Sequence, residues 1–515
     1  MSKLAIFSVS DKTGIVELAR SLVEEFDFEL ISSGGTAKTL QAAGLSVTKV
    51  SDYTGSPEIL GGRVKTLHPR IHGGILSRRD LPEDVADMEV NNIRPLDLVV
   101  VNLYPFEQTI ARPNVSVTDA IEQIDIGGPT LLRAAAKNFA YLTVLCNPSQ
   151  YSEYLSELRS QKDISLTFRQ HMAGLAFAHT HNYDRAISAY FAGLNDSESE
   201  DLSDTYKITG TKLQSLRYGE NPHQSAAWYQ TGSQATGWAA ARKLQGKELS
   251  YNNLVDLEAA RRIICEFPAD EPAAAVLKHT NPCGAAVSDT LVSAYQKAFN
   301  ADSTSAFGGI VALNQEIDKD TATALTKTFL ECVVAPGCTQ EARDILQAKS
   351  NLRILVLPDL ITGSKETIKA IAGGFLVQAS DDLIENPETW QIVTDKQPTS
   401  EELAEMLFAQ KIVKHVKSNA IVVSKNRTTL GVGAGQMNRV GSVDIALCQA
   451  GDKAKGAILA SDGFFPFDDS VRTAAKAGIK AIVQPGGSMR DRDSIAAANE
   501  LGMVMVLSGT RHFLH

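Results

Sequence analysis

A chain of 515 residues that is 43% hydrophobic and 21% charged has the composition of an ordinary soluble protein, with length for about three globular units. Its 50 Lys and Arg against 60 Asp and Glu leave a formal charge of −10, which excludes a generic nucleic-acid-coating surface; any anionic ligand must be met by locally concentrated cations. Six scattered cysteines without a CxxC pair, and no apolar run of secretory or membrane-spanning length, predict a cytoplasmic protein with no membrane partner.

The runs LAIFSV (4–9), ELIS (29–32) and VTKV (47–50) alternate with helical patterns over 15–25 and 37–43, the order of βαβ units on a parallel sheet. LDLVVVNLYPF (96–106) and YLTVLC (141–146) read as strands buried on both faces, so ligands belong at the carboxyl ends of these strands. Residues 151–194 are helical in pattern and stop at the acidic, Ser-rich NDSESEDLSD. The expected organisation is therefore a domain over 1–195, a linker over 196–204 and a larger part over 205–515. In that part, strands at 273–279, 308–314, 352–358, 420–425 and 502–509 mix with helices over a length that suits two subdomains. No short internal period is present, which argues against a solenoid or a propeller.

Ser33-Gly34-Gly35-Thr36 follows a strand and opens a helix, so backbone N–H groups, two hydroxyls and a helix N-terminus can converge on a phosphate. A plain βα turn is the competing reading, and neither a Walker A nor a GxGxxG pattern is present. The segment GGRVKTLHPRIHGG (61–74) concentrates Arg63, Lys65, His68, Arg70 and His72 in an acidic chain, which suits an anionic ligand better than a solvated loop. Asp125 and Lys137 bracket a Gly-Gly-Pro turn and the helix after it, and Tyr104 ends a buried strand; alone, each reads as a cap, surface or core residue.

LKHTNPCG (277–284) places Lys278 and His279 before a Pro-Cys-Gly turn. A zinc deaminase would need a nearby Glu and Pro-Cys-x-x-Cys; here no HxE occurs and position 286 is Ala, so the metal reading fails on ligand count. A metal-free pair remains, His as proton acceptor and Lys as donor to a developing oxyanion, with a structural His as the competing reading. The loops RYGENPHQ (217–224), GVGAGQMNR (431–439), SDGFFPFDDS (461–470) and QPGGSMRDRD (484–493) suggest a cleft for a flat heteroaromatic ligand.

Taken in order, SVSDKTG, SSGGT, GGRVKTLHP, NLYPF, IDIGGP, AAAKN, LRYGENPHQ, LKHTNPCG, SAFGG, GAGQ, DGFFPF and RHFLH resemble the bifunctional bacterial-type family of AICAR formyltransferase and IMP cyclohydrolase, across essentially the full chain. The resemblance implies an α/β protein: an amino-terminal parallel domain similar to methylglyoxal synthase, then two cytidine-deaminase-like subdomains without zinc. It implies formyl transfer from 10-formyltetrahydrofolate to AICAR and dehydrative closure of the product, FAICAR, to IMP. It also implies a homodimer with the transformylase site at the interface; whether a monovalent cation is needed stays open.

By the same resemblance, Lys278, His279 and Asn419 catalyse formyl transfer, with His279 the base. AICAR would be held by Arg217, Tyr218, Gly308, Glu331, Phe464 and Arg511, and folate by Arg439, Val440, Asp469, Ser488 and Met489; Met489 departs from the family's Ser-Ala. In ring closure Lys137 is the implied proton donor and acceptor, with Lys65, Tyr104 and Asp125 polarising the formyl oxygen or aligning the amide. Lys12, Thr13, Gly14, Ser33, Gly34, Gly35, Thr36, Arg63, Thr66, Asn102 and Ile126 would bind that nucleotide. The rivals are a methylglyoxal synthase or a phosphate sensor for the first domain, and a zinc deaminase for the second.

Overall fold

The computed structural model describes residues 2–112, 115–161, 163–195, 205–232 and 234–515. The chain separates into two compact units, Met1–Asp204 and Thr205–His515. The acidic linker expected at 196–204 lies outside the described residues.

The first unit is built on β1 (Lys3–Val9), β2 (Phe28–Ser32), β3 (Val47–Lys49), β4 (Leu98–Asn102) and β5 (Thr143–Leu145). They form one parallel sheet in the order β3-β2-β1-β4-β5. Alternate residues of β1 and β4 serve two cores: Leu4, Ile6, Val99 and Val101 pack on one face, and Ala5, Phe7, Leu98 and Val100 on the other. Burial on both faces is why β4 reads as an unbroken apolar run. The order reverses beside β1, so the crevice at the carboxyl ends of β1 and β4 is the natural ligand site. The helix expected from residue 37 begins earlier, at Gly34, because Gly34 takes φ +53 and turns the chain directly out of β2 with Ser33 at the N-cap. The helical stretch expected over 151–194 is two helices, Tyr151–Gln161 and Leu166–Asn195.

The second unit opens with a hairpin of β6 (Thr211–Leu216) and β7 (Ala226–Gln230). A first mixed sheet follows from β8 (Arg242–Gln245), β9 (Ala273–Lys278), β10 (Asn281–Val287), β11 (Ile310–Leu313), β12 (Cys332–Ala335) and β13 (Arg353–Val356), in the order β10-β9-β11-β12-β13-β8. After the hairpin β14 (Glu366–Ile371) and β15 (Gly374–Ala379) comes a second sheet of β16 (Gln391–Ile392), β17 (Ile421–Ser424), β18 (Thr429–Gly433), β19 (Ile458–Ser461), β20 (Ala481–Gln484) and β21 (Val504–Leu507), ordered β18-β17-β19-β20-β21-β16. Strand for strand the two sheets have the same order and the same directions. The unit is thus two subdomains of one topology, repeating from Arg242 to Gln391, a span far longer than any solenoid period.

The helices Tyr251–Ile264 and Ser400–Val413 occupy equivalent places and share one core between the sheets: Leu257, Ile263 and Ile264 meet Met406, Phe408 and Ile412 over Leu277, Val422 and Ala460. The two sheets touch where the Val287 N–H donates to the Arg427 carbonyl (3.0 Å) and the Ala285 N–H to Thr429 Oγ1 (2.9 Å). Among the described residues, no helix is long and apolar enough to cross a membrane.

Candidate active sites

In the first unit a cavity of about 660 Å³ opens at the crevice, lined by Ser8 to Ser10 from the end of β1, Ser33 to Thr36, Asn102 and the segment 121–128. Its floor is the Ser33–Gly35 turn. A Cβ on Gly34 would stand 3.5 Å from Lys65 Nζ, and one on Gly35 would stand 3.8 Å from Lys12 Nζ, so two ammonium groups close over a helix N-terminus. Free N–H groups and paired lysines together make an anion cradle.

The other expected nucleotide residues divide into those that face the cavity and those that build it. Thr36 spends its hydroxyl on β1, accepting from the Val9 N–H (3.1 Å) and donating to the Val9 carbonyl (3.0 Å). Asn102 Oδ1 accepts from the Ser10 and Asp11 N–H groups (2.6 and 2.9 Å), while its Nδ2 donates to the Asp11 carbonyl (2.9 Å), which shapes the loop carrying Lys12. Thr13 is turned onto Asp11 Oδ1 by its N–H and hydroxyl, and Gly14 caps the helix Ile15–Phe26. Arg63, Lys65, Thr66, Tyr104 and Ile126 line the cavity; His68 instead caps the helix Pro69–Leu76, Arg70 donates to the Asn92 carbonyl, and burial lowers the pKa of His72.

Asp125 sits at the mouth of the helix Gly127–Lys137, where its Oδ1 accepts from the Gly128 N–H (2.8 Å). Burial raises its pKa above the ordinary carboxylate value, with the Gly128, Tyr104 and Gly127 N–H groups and the Lys65 charge opposing. No space is left for a Cβ on Gly128, whose nearest neighbours would be Asp125 and Leu103. Three residues that carry no signal in the sequence support this arrangement. Tyr183, from the helix Leu166–Asn195, accepts from the Asp125 N–H (2.8 Å) and donates to the Gln123 carbonyl (2.9 Å). Glu122 pairs with Arg63, and Glu58 lies 4.0 Å from Lys65.

Lys137 is not brought to this cavity. Asp125 and Gly128 stand at one end of the helix and Lys137 at the other, about 15 Å away at 1.5 Å per residue, with an exposed side chain. The AAAK stretch looks unshielded in sequence because its small residues pack on the sheet: Ala135 and Ala136 are core.

In the second unit β9 and β10 are joined by two residues, His279 and Thr280, at φ +51 and +65. Lys278 ends β9 and donates from Nζ to the Gly308 carbonyl (3.0 Å). Gly308 takes φ +70, and a Cβ there would stand 3.2 Å from the Phe329 ring and 3.3 Å from Lys278 Nζ, so glycine is required. Phe329 and Phe307 form an exposed aromatic pair with centroids 5.3 Å apart. Glu331, directly before β12, accepts from Asn253 Nδ2 (2.8 Å). Asp256, one turn further along that helix, accepts from the Thr280 N–H (2.8 Å). The loop after β6 that carries Arg217 and Tyr218 reaches the same helix through Asn252 and the Glu220 carbonyl (3.3 Å).

A second group adjoins this one, because the Lys417 N–H donates to Asn281 Oδ1 (3.2 Å). Asn419 Oδ1 accepts from the Arg439 guanidinium (2.7 Å) and its Nδ2 donates to the Gln436 carbonyl (2.8 Å). Arg439 is 6% exposed and paired with the fully buried Asp462, so its visible role is to orient Asn419 and the loop before Phe464. Phe464, Asp469 and Met489 are exposed, Ser488 accepts from the Arg490 N–H, and Val440 lies in the first turn of the helix Arg439–Ala450. Arg511 lies over the Phe513 ring at 4.5 Å. Burial pushes the Cys283 thiol up to about 12. Among the described residues, no group of three or more His, Cys, Asp or Glu is placed to hold a metal.

Comparison with known proteins gives two family matches, the second of which begins within the first unit and runs into the second. An MGS-like domain family matches residues 14–130, and the AICARFT/IMPCHase bienzyme family matches residues 135–449. The chain is 73% identical over its whole length, and that of the relative, to the bifunctional purine biosynthesis protein PurH of Gloeothece citriformis, and 72% identical, again end to end, to PurH of Synechocystis. A crystal structure of ForH is 33% identical, covering 38% of this chain and 98% of its own, with a TM-score of 0.35. With a family match over more than half its length and end-to-end relatives above 70% identity, the chain belongs to the AICARFT/IMPCHase bienzyme family of bifunctional purine biosynthesis proteins.

Proposed function

We propose that this chain transfers a formyl group to AICAR in its second unit and closes the product, FAICAR, to IMP in its first, the last two steps of IMP formation. The observation that carries the reading is the pairing, in one family member, of a two-lysine anion cradle with a Lys278–His279 turn flanked by an aromatic pair and a carboxylate.

The amine of AICAR is conjugated to an imidazole carboxamide and is a weak nucleophile, so it must lose its proton as it bonds to the formyl carbon. His279 takes that proton. Lys278, fixed by the Gly308 carbonyl, donates to the oxyanion and then to the departing folate nitrogen as the old C–N bond breaks. Asn419, held by Arg439, orients the pair. Glu331 accepts from the carboxamide, the exposed Phe464 ring gives a stacking face, and Arg217, Tyr218 and Arg511 hold the rest of AICAR. The donor is 10-formyltetrahydrofolate, and its flat pterin suits the exposed loops of Asp469, Ser488 and Met489.

In ring closure the carboxamide nitrogen attacks a formyl carbon of the same molecule, so alignment supplies much of the rate. Lys12, Lys65 and the Gly34–Gly35 turn hold the phosphate; Asp125, with Tyr104 beside it, takes the amide proton and passes it to the formyl oxygen, which leaves as water with the proton of the formamide nitrogen as the ring C=N bond forms. Lys137 of the same chain does not line this cavity. A second copy completes the transformylase site, a reading supported by the fully exposed Met437 and Met489. A cytoplasmic location is supported by six free cysteines.

The test follows AICAR and 10-formyltetrahydrofolate by absorbance and separates products by chromatography. His279→Ala is expected to lose roughly 10²-fold or more in formyl transfer while still closing supplied FAICAR. Undiminished formyl transfer by that variant would overturn the assignment.

A further inference from the structure

The turn that carries His279 has a backbone its own residues disfavour. A two-residue hairpin with both φ values positive is normally made by Asn-Gly or Asp-Gly. Here it is made by His279 (φ +51) and Thr280 (φ +65), and a β-branched residue in that region is a genuine outlier. Such a conformation persists only where its surroundings enforce it. The enforcing group is Asp256, whose Oδ1 accepts from the Thr280 N–H at 2.8 Å, reaching up from the helix Tyr251–Ile264 under the turn. Thr280 Oγ1 donates to its own neighbour, the His279 carbonyl (2.6 Å), which also accepts from Asn281 Nδ2 of β10 (3.3 Å), so among the described residues Asp256 is the side chain that ties the turn to the helix beneath it.

The duplicated topology shows the same device a second time. Asp256 is the sixth residue of its helix, and Glu405 is the sixth residue of the equivalent helix Ser400–Val413. Glu405 Oε2 accepts from the Arg427 N–H at 2.7 Å, and Arg427 (φ +51) follows Asn426 (φ +55) in the turn between β17 and β18. A carboxylate at one helical position thus holds the second residue of a left-handed turn in both subdomains. In the second subdomain that residue, Arg427, reaches out to Glu271 in a structural ion pair. In the first, the turn carries the Lys278–His279 pair.

We infer that Asp256 is a positioning residue for formyl transfer: it holds the Thr280 N–H and so keeps the turn in the left-handed form that presents His279 beside Lys278. This rests on the reading of His279 as the base. Asp256 need not touch either substrate, so its loss falls on kcat and leaves the Michaelis constant for AICAR within about threefold.

The test compares full-length Asp256→Ala, Asp256→Asn, Thr280→Gly and the double variant Asp256→Ala with Thr280→Gly in steady-state formyl transfer, with thermal unfolding and closure of supplied FAICAR as controls. Left-handed backbone costs a non-glycine residue enough to lower the populated turn about tenfold, whereas glycine adopts it freely. Asp256→Ala is therefore expected to lose tenfold or more in kcat. Asp256→Asn, which keeps the acceptor oxygen, should stay within about threefold of wild type. Adding Thr280→Gly to Asp256→Ala should restore most of the loss. An equal loss from Asp256→Ala with and without Thr280→Gly, or a loss in Asp256→Asn as deep as in Asp256→Ala, would overturn the inference. Full formyl transfer by His279→Ala would instead overturn the reading on which it rests.

Discussion

The segment that follows β21, residues 508–515, is held by a buried ion cluster around His512. His512 is 1% exposed, with Nδ1 2.6 Å from Asp381 and Nε2 2.7 Å from Glu385, and Trp390 Nε1 donates to the other oxygen of Glu385 (3.0 Å). Burial alone would lower the His512 pKa, but its bonds to the two carboxylates outweigh that and raise it from 6.5 to about 9. The folded state thus prefers the imidazolium, and each pH unit of preference corresponds to about 1.4 kcal/mol, which puts the contribution at about 3 kcal/mol. Because the folded value lies above the unfolded one, this stability is present in full below pH 6.5 and is lost as pH rises through about 9. The assay is thermal unfolding of wild type and His512→Gln at intervals from pH 6 to pH 10. The gap in melting temperature should be widest at pH 6 and narrow steadily toward pH 9.5. A gap that stays constant over that range would mean that His512 is not held as the imidazolium in the folded state.

Four further outcomes follow from the same geometry. Gly308→Val should lower formyl transfer at least tenfold and leave closure of FAICAR untouched, since its side chain would displace Phe329 and Lys278; separate half-reaction assays check it. Gly34→Val or Lys65→Met should weaken nucleotide binding to the first unit at least tenfold, read by calorimetry with IMP, and AICAR binding should not change. Arg439→Lys keeps the charge but loses the planar fork that reaches Asn419, Ser461 and Asp462 together, so it should cost more than about 2 kcal/mol in unfolding free energy, read from denaturant unfolding. Burial raises the Asp125 pKa, so the acid limb of the ring-closure profile should lie above the ordinary carboxylate value of 3.8, and Asp125→Asn should flatten it.

Strand content and the parallel order of the first sheet were legible because β1, β4 and β5 are buried on both faces and carry near-continuous apolar runs. The turn over which Lys12 and Lys65 close was legible because Ser33-Gly34-Gly35 combines a cap residue with glycine freedom between a strand and a helix. Lys278 and His279 were legible as a pair, but Asp256 was not: it lies in an amphipathic helix where an acid every few residues looks like a solvated face, and only the pairing of β9 with β10 brings Thr280 over it. Tyr183 is hidden for the same reason, in a long helix some sixty residues from the Asp125 it supports. Lys137 shows the converse. Closeness in sequence to Asp125 suggests closeness in space, whereas a helix of 11 residues puts Lys137 at its far end. The duplication of the second unit leaves no short period to find, since its two halves keep strand order and a helix-borne carboxylate while differing in most side chains.

The central claim, that one chain carries two successive steps in two separate sites, is tested most directly by giving purified wild-type protein AICAR with formyl-labelled 10-formyltetrahydrofolate and following label by mass spectrometry. Label should appear first in FAICAR and then in IMP, with His279→Ala stopping before FAICAR and Lys65→Met stopping after it. Label reaching neither compound with the wild type, or both variants blocking the same step, would contradict it.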